Sequence, residues 1–357
     1  MLPASEFARH ADMWRAFNAQ TTASALLEPE FVQALLDAFG SGREWLAVCA
    51  RDGRTLAMAL VLPRRGGAWG TFQPSQAPVS MWMHRAEEPL DALLAGLTRK
   101  LPGMQLMLSL SQRDPRLEPR PPDSALTRTL DYINTAHIDI AGSFDDYWAA
   151  RGKNLRSNLK KQRNKLARDG VAARMQIDRA PELMAQAVAD FGRLESAGWK
   201  QQLGTAVHPD NEQGRFYRTM LEAYARRGAA AVYRYWFDDR LMAMDLCIEG
   251  HGCLIVLKTT YDEAGANGLS PTLLMREECC RELFELGRHQ RLEFYGKVME
   301  WHTRWTDDVR TMYHVNHYRW PGLLALHTLA NRRAASRAAA TPPAATPAPH
   351  TDSLSTE

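Results

Sequence analysis

No run of about 18 or more apolar residues occurs in the chain, so nothing in it reads as a transmembrane helix. The first residues, Met1-Leu2-Pro3-Ala4-Ser5-Glu6, lack both the basic stretch and the apolar core of a secretory signal. Cysteine is scarce: Cys49, Cys247, Cys253, Cys279 and Cys280 in 357 residues, odd in number and without metal-type spacing. That pattern predicts reduced thiols in a reducing, cytoplasmic compartment, and argues against a disulfide framework or a zinc site. His302, His314 and His317 are irregularly spaced and accompany no paired carboxylate motif, so no metal is expected there. Neither a Gly-x-Ser-x-Gly elbow nor a Walker pattern is present, which argues against two common hydrolase and nucleotide-hydrolysing chemistries. The net charge of +3 is too small to call for a polyanionic partner of the whole chain.

What is present is a globular composition, 45% hydrophobic and 24% charged, in a chain long enough for two domains. Residues 331–357 are the exception. They hold Ala and Arg, then Pro, Ser and Thr with almost nothing large and apolar, and predict a disordered tail.

The dominant internal signal is a diverged repeat. Trp45–Ala50 reads as a strand, Arg51-Asp52-Gly53-Arg54 as a turn, Thr55–Leu62 as a strand and Ala68–Phe72 as a third after Gly66-Gly67. A shift of 186 residues carries Asp52 to Asp238, and the order recurs without a gap: strands at Val232–Phe237, Leu241–Ile248 and Cys253–Thr260. Arg54/Arg240, Ala57/Ala243, Met58/Met244, Leu60/Leu246 and Gly66/Gly252 are identical across the shift. A helix and a further strand follow in each copy: Glu88–Lys100 then Met104–Leu110, and Pro271–Leu286 then Arg291–Tyr295. Strand, helix and neighbouring strand form the crossover of a mixed sheet, so the fold class is α+β with two similar lobes, residues 1–140 and 141–330.

Between the copies lies Arg151–Gly170, with eight Lys or Arg before Asp169, a stripe of Leu155, Leu159 and Leu166 at helical spacing, and Gly170 as a C-terminal cap. The leucines favour docking on the protein, and no aromatic residues interleave with the basic ones to stack bases, so nucleic-acid binding is not its main role. Pro181–Ser196 and Arg215–Arg227 predict two more helices.

Gly265-Ala-Asn267-Gly268-Leu269-Ser270-Pro271-Thr272 joins a strand to a helix, with Ser270 placed to cap it and Pro271 at its first position. Free backbone N–H groups at such a terminus make an anion site suited to a pyrophosphate, and the first copy lacks this loop. The repeat also acts as a control, because a polar residue in a strand is costly to bury unless it is paired. Asp245 stands opposite Ala59, Lys258 opposite Phe72, Glu293 opposite Met107 and Tyr295 opposite Ser109. These four mark the second copy as the half with chemistry.

The basic helix, Gly198-Trp199-Lys200 with Gly204-Thr205, Phe216-Tyr217, the strand end Lys258-Thr-Thr-Tyr261-Asp262, Ser270-Pro271 and Phe294-Tyr295-Gly296 together resemble the BioF2-like acetyltransferase domain of the GNAT superfamily. That group is related to the Fem-type aminoacyltransferases, and some members of CelD type sit in exopolysaccharide or cellulose synthesis clusters. The resemblance covers residues 140–320 well and the first half more loosely, and implies a tandem GNAT-like fold with a degenerate first lobe. It implies acyl-CoA, acetyl-CoA foremost, as donor, bound by Gly268, Leu269, Ser270 and Thr272. Acyl transfer needs a base for the nucleophile's proton and a donor to the leaving thiolate, and the polar residues peculiar to the second copy suit those roles: Asp245 or Glu293 as general base and Tyr295 as acid, with Trp199, Lys200, Lys258, Tyr261 and Asp262 toward the substrate. The acceptor would be an amine or hydroxyl on a small molecule or saccharide. Aminoacyl transfer from charged tRNA, or a non-catalytic binding protein on the same fold, are the alternatives. The run Gly296-Lys297-Val298-Met299-Glu300-Trp301 departs from the family, which has an acidic residue and a Tyr-Lys pair there, and the usual Arg/Gln-x-x-Gly-x-Gly/Ala motif is missing.

Overall fold

A computed structural model describes residues 1–196, 207–266 and 268–326. Trp199 and Lys200, and the tail from 331 to 357, lie outside the described residues.

The first half runs β1 (Leu2–Pro3), α1 (Ala11–Gln20), α2 (Pro29–Phe39), β2 (Trp45–Arg51), β3 (Arg54–Pro63), β4 (Ala68–Thr71), β5 (Trp82–His84), α3 (Leu90–Lys100), β6 (Met107–Arg113) and β7 (Thr127–Asp139). The second runs α4 (Phe144–Ala149), α5 (Lys153–Arg168), β8 (Ala173–Asp178), α6 (Pro181–Ser196), α7 (Glu212–Ala225), β9 (Ala230–Phe237), β10 (Arg240–Gly250), β11 (Cys253–Tyr261), α8 (Pro271–Leu286), β12 (Arg291–Glu293), α9 (Glu300–Thr303) and β13 (Val309–Tyr318). Among the described residues the strands form one mixed sheet in the order β1-β2-β3-β4-β6-β13-β7-β12-β11-β10-β9-β8, with β5 beside β3. The repeat is visible in it: β4 and β6 pair in parallel across α3, as β11 and β12 do across α8.

Local chemistry sets these elements. Asp52-Gly53 and His251-Gly252 both hold positive φ, the geometry a two-residue hairpin turn needs to match the strand twist. Leu155, Leu159, Gln162 and Leu166 make the buried stripe of α5. The helix ends where Gly170 turns left-handed and Val171 N–H bonds the carbonyl of Leu166 at 2.9 Å.

The two lobes exchange strands. β13, the last strand, pairs with β6 of the first lobe through Val315–Tyr318 while its start runs along β7. β7 in turn crosses from the first lobe to reach β12 through His137–Asp139. One face of the sheet packs α1, α2, α6 and α7 into a core common to both lobes. On the other face, α4, α5 and α8 cover the second lobe and α3 covers the first.

Candidate active site

β11 and β12 stay together only over Cys253–Ile255 and Arg291–Glu293. Beyond that, Phe294 N–H turns to the carbonyl of Ala136 in β7, at 3.1 Å, while β11 runs on to Tyr261. Leu257 is bulged out of the pairing with β10, where the register shifts between Leu246 and Cys247. The sheet therefore opens at the carboxyl ends of two parallel strands joined by a crossover, the place where such sheets hold ligands.

The loop from β11 to α8 is pinned at both ends. Asp262 accepts from Gly265 N–H at 2.9 Å and from the Arg240 guanidinium at 2.5 and 2.7 Å. Gly265 lets the Arg240 guanidinium lie close against the loop, since a Cβ would stand 2.6 Å from Arg240 Cζ and push that side chain aside. At the far end Gln162 of α5 accepts the N–H of Ser270 at 2.6 Å. Gly268 holds a positive φ of 76°. The Ser270 side chain does not cap α8; its carbonyl takes the N–H groups of Leu273 and Leu274 instead.

Against this terminus lies a cavity of about 610 Å³. Thr259 and Tyr261 bound it on the strand side, Leu269, Ser270, Thr272 and Arg276 on the helix side, and Trp301, Arg304 and Trp305 on the arm after β12. Trp305 is fully buried, and among the described residues its indole N–H has no acceptor. Its carbonyl is held by the Tyr147 hydroxyl at 2.8 Å and by Arg151 at 2.7 Å, which fixes the arm.

Asp245 sits behind the cavity wall. It is fully buried, accepts from the Thr259 hydroxyl at 2.5 Å with one oxygen and pairs with Arg276 through the other. Arg276 lies 5.1 Å over the Phe294 ring. The pair holds a cation at the cavity, and both carboxylate oxygens are engaged in doing so.

Glu293 and Tyr295 lie on the opposite face, turned toward the first lobe. Glu293 pairs with Arg310 at 2.8 Å, and the Tyr295 hydroxyl donates to Asp114 at 2.8 Å. Asp114, from the loop after β6, also holds Arg310 at 2.7 and 2.8 Å. Burial pushes the Glu293 carboxyl up to about 7 against the pull of Arg310, and burial raises the Tyr295 hydroxyl as well. Asp114 is buried too, but Arg310 holds it below the usual carboxylate range. A cavity of about 140 Å³ at the lobe junction is lined by Asp114, Arg116, His251, Arg291, Glu293 and Tyr295 among others.

Lys258 bonds Glu195 of α6 at 3.1 and 3.2 Å, with the rings of Phe191 and Tyr217 each 5.8 Å from its ammonium. Glu195 also takes the N–H of Val207 at 2.7 Å.

Of the residues singled out in the sequence, Tyr261, Leu269, Ser270 and Thr272 therefore meet at one cavity, and Glu293 and Tyr295 meet at another. Asp245 stands with the first group but is ion-paired, Asp262 serves the loop, and Lys258 belongs to the α6 side. The sequence reading missed Arg276, Trp305, Asp114 and Arg310. Arg276 had a signal: a lone acid in an apolar strand requires a buried partner, and Arg276 is the first cation within α8. His137, Asp139 and Asp308 come within 4.8 Å of one another in a metal-like group. Guanidinium groups of Arg310 and Arg116 stand 3.2 and 3.3 Å from the two His137 ring nitrogens, and they disfavour a cation there.

This geometry of an opened mixed sheet with a ligand-sized cavity at a helix terminus has a family match. Residues 153–303, from the start of α5 to the end of α9, match the family model described as an acetyltransferase (GNAT) domain. The second half of the chain carries a GNAT domain, related in fold to the Fem-type enzymes. In fold the whole chain is similar to FemX (8% identity, 88% of this chain and 98% of that one, TM-score 0.56). It is similar also to the C-terminal domain of a putative lysylphosphatidylglycerol synthetase from Agrobacterium fabrum (14%, 91% and 95%, 0.54). A protein of unknown function from Bacteroides thetaiotaomicron is a third (10%, 87% and 97%, 0.55). At these identities the likeness is one of fold. No curated protein matches the chain in sequence. Among the described residues no helix is long and apolar enough to cross a membrane.

Proposed function

We propose that the protein transfers an acyl group, acetyl foremost, from acyl-CoA to an amine or hydroxyl of a small molecule or saccharide, in the cytoplasm and in service of the cell envelope. The observation that carries this reading is the 610 Å³ cavity set against the first turn of α8 where β11 and β12 part. A pyrophosphate would take the N–H groups at Gly268 and Thr272 and the positive end of the helix dipole, with Leu269, whose N–H is bonded to the Ala266 carbonyl at 2.7 Å, lining the site with its side chain. Ser270 N–H is already bonded to Gln162, so the hydroxyl of Ser270 is its free contribution. Arg276, its charge matched by Asp245, borders the same cavity, and Tyr261 and Trp301 offer flat faces to the rest of the donor.

The thioester would then lie in the opening of the sheet, and the acceptor would approach from the lobe junction. Glu293, poised near neutrality, takes the proton from the attacking amine or hydroxyl. The new acyl bond forms, the C–S bond breaks, and Tyr295 returns a proton to the leaving thiolate. Asp245 positions Arg276 in this scheme and does not act as base. Lys258, Trp199 and Lys200 are assigned to acceptor recognition in this reading.

A thermal-shift panel tests the donor. Acetyl-CoA, longer acyl-CoAs and free CoA should each raise the melting temperature, by mass action on the folded state. A second reading, aminoacyl transfer from charged tRNA, draws on Lys160 and Lys161, exposed on α5 immediately before Gln162. It is the reading that survives if no CoA compound shifts the melt and activity is destroyed by RNase.

A further inference from the structure

The first lobe has kept the β2–β3 register of the second lobe while losing what fills it. Ala47 pairs with Ala59 and Cys49 with Ala57, as Tyr233 pairs with Asp245 and Tyr235 with Ala243, 186 residues on. In the second lobe three polar pairs tie this face to α8. Tyr233 donates to Glu282 at 2.9 Å, Tyr235 donates to Glu278 at 2.7 Å, and Asp245 holds Arg276. Shifted back by 186, these pairs become Ala47 with Gly96, Cys49 with Ala92, and Ala59 with Leu90. Every long side chain on the sheet side of the three pairs has been replaced by a small one.

The result is a trench of about 450 Å³ between β2, β3 and α3, and Ala47, Cys49, Ala59 and Gly96 all line it. Interiors pack with few voids larger than a water, and a space this size falls in the range of small-molecule sites, roughly 300 to 1,000 Å³. Trp82, nearly fully buried, contributes to its walls, which are otherwise mostly aliphatic. Lys100, exposed at the C-terminal end of α3, also lines it and closes no ion pair among the described residues. An apolar trench with one cationic side chain outside any ion pair among the described residues complements an apolar chain with one anionic head. We propose that the first lobe binds a fatty acid, its chain lying between α3 and the sheet and its carboxylate on Lys100.

Delipidated full-length protein is titrated calorimetrically with octanoic, dodecanoic and hexadecanoic acids, with dodecanol as the neutral arm. One saturable site per chain is expected for at least one acid. Gly96→Leu fills the trench from a position where a Cβ meets nothing within 4 Å, and it replaces a helix-interior glycine, so the fold should hold. It should weaken binding by at least roughly tenfold. Lys100→Gln should weaken the acid by about tenfold and leave dodecanol unchanged. An arm free of variants uses Cys49, the exposed thiol of the chain's free cysteines, whose labelling by a maleimide should slow when the bound acid covers it. Absence of saturable binding by every acid, a Gly96→Leu protein that binds as wild type does, or unchanged Cys49 labelling at saturation each overturns the proposal.

Discussion

Asp245 and Glu293 are both strand carboxylates with almost no exposure, yet their surroundings give them different work. Asp245 is matched by Arg276 and a threonine hydroxyl. Removing one partner of a buried ion pair leaves the other charge unmatched, which costs about 3–5 kcal/mol. Asp245→Ala should therefore lower the urea midpoint by that equivalent, and Arg276→Ala should do the same. Glu293 shares one arginine with Asp114, and its carboxyl is pushed up to about 7 by burial. As a base it works when deprotonated, so the transfer rate should rise with pH through about 7. Glu293→Gln should cost roughly 100-fold to 10,000-fold in rate and flatten that rise, with the protein still folded. A Glu293→Gln enzyme with the wild-type pH profile would remove Glu293 from the mechanism.

At the scale of elements, the sequence is clear where periodicity and turn chemistry act locally. The α8 bounds, Pro271–Leu286, and the start of α6 at Pro181 are those read from the sequence, because proline opens each helix, an apolar stripe follows, and Gly287 comes directly after α8. The hairpin strands of both copies fall within about two residues of expectation, since Asp-Gly and His-Gly pairs fix the turns, whereas the strand expected at Met104–Leu110, which no hairpin anchors, runs over Met107–Arg113. The predicted strand Arg291–Tyr295 stops at Glu293 instead, because Phe294 leaves β11 for β7. The residues the sequence did not disclose are long-range partners. Asp114 lies 181 residues from Tyr295 and 196 from Arg310, and no local pattern reports such a meeting. The proposed anion site is itself an element property. Thr272→Glu puts a negative charge into the first turn of α8 beside the cavity, and should weaken donor binding by at least about tenfold through charge repulsion.

The whole molecule is tied together by the exchanged strands and by a latch of charges. A chain cut to residues 1–140 keeps β6 and β7 but lacks β13, the strand that lies between them. Such a fragment should show no cooperative melt, whereas in the full chain fluorescence and far-ultraviolet dichroism should report one shared transition. Glu28 of the first lobe meets Arg227 at 3.0 Å and His251 at 2.9 Å in the second. Burial opposes its ionisation, but His251 and Arg227 together bring the carboxyl down to about 2 from 4.5. A depressed acid stabilises the fold above its unfolded pKa, and that stability is lost as pH falls from 4.5 through about 2. The contribution is on the order of 3 kcal/mol. Glu28→Gln should flatten the acid limb of the stability curve by that order in urea titrations.

Calorimetric titration of acetyl-CoA into the wild type, Thr272→Glu and Gly96→Leu tests most directly whether the cavity at α8 is the donor site. Saturable binding to one site in the wild type, weakened in Thr272→Glu and kept in Gly96→Leu, is the predicted result. No binding of any CoA compound to the wild type, or equal affinity in Thr272→Glu, would contradict it.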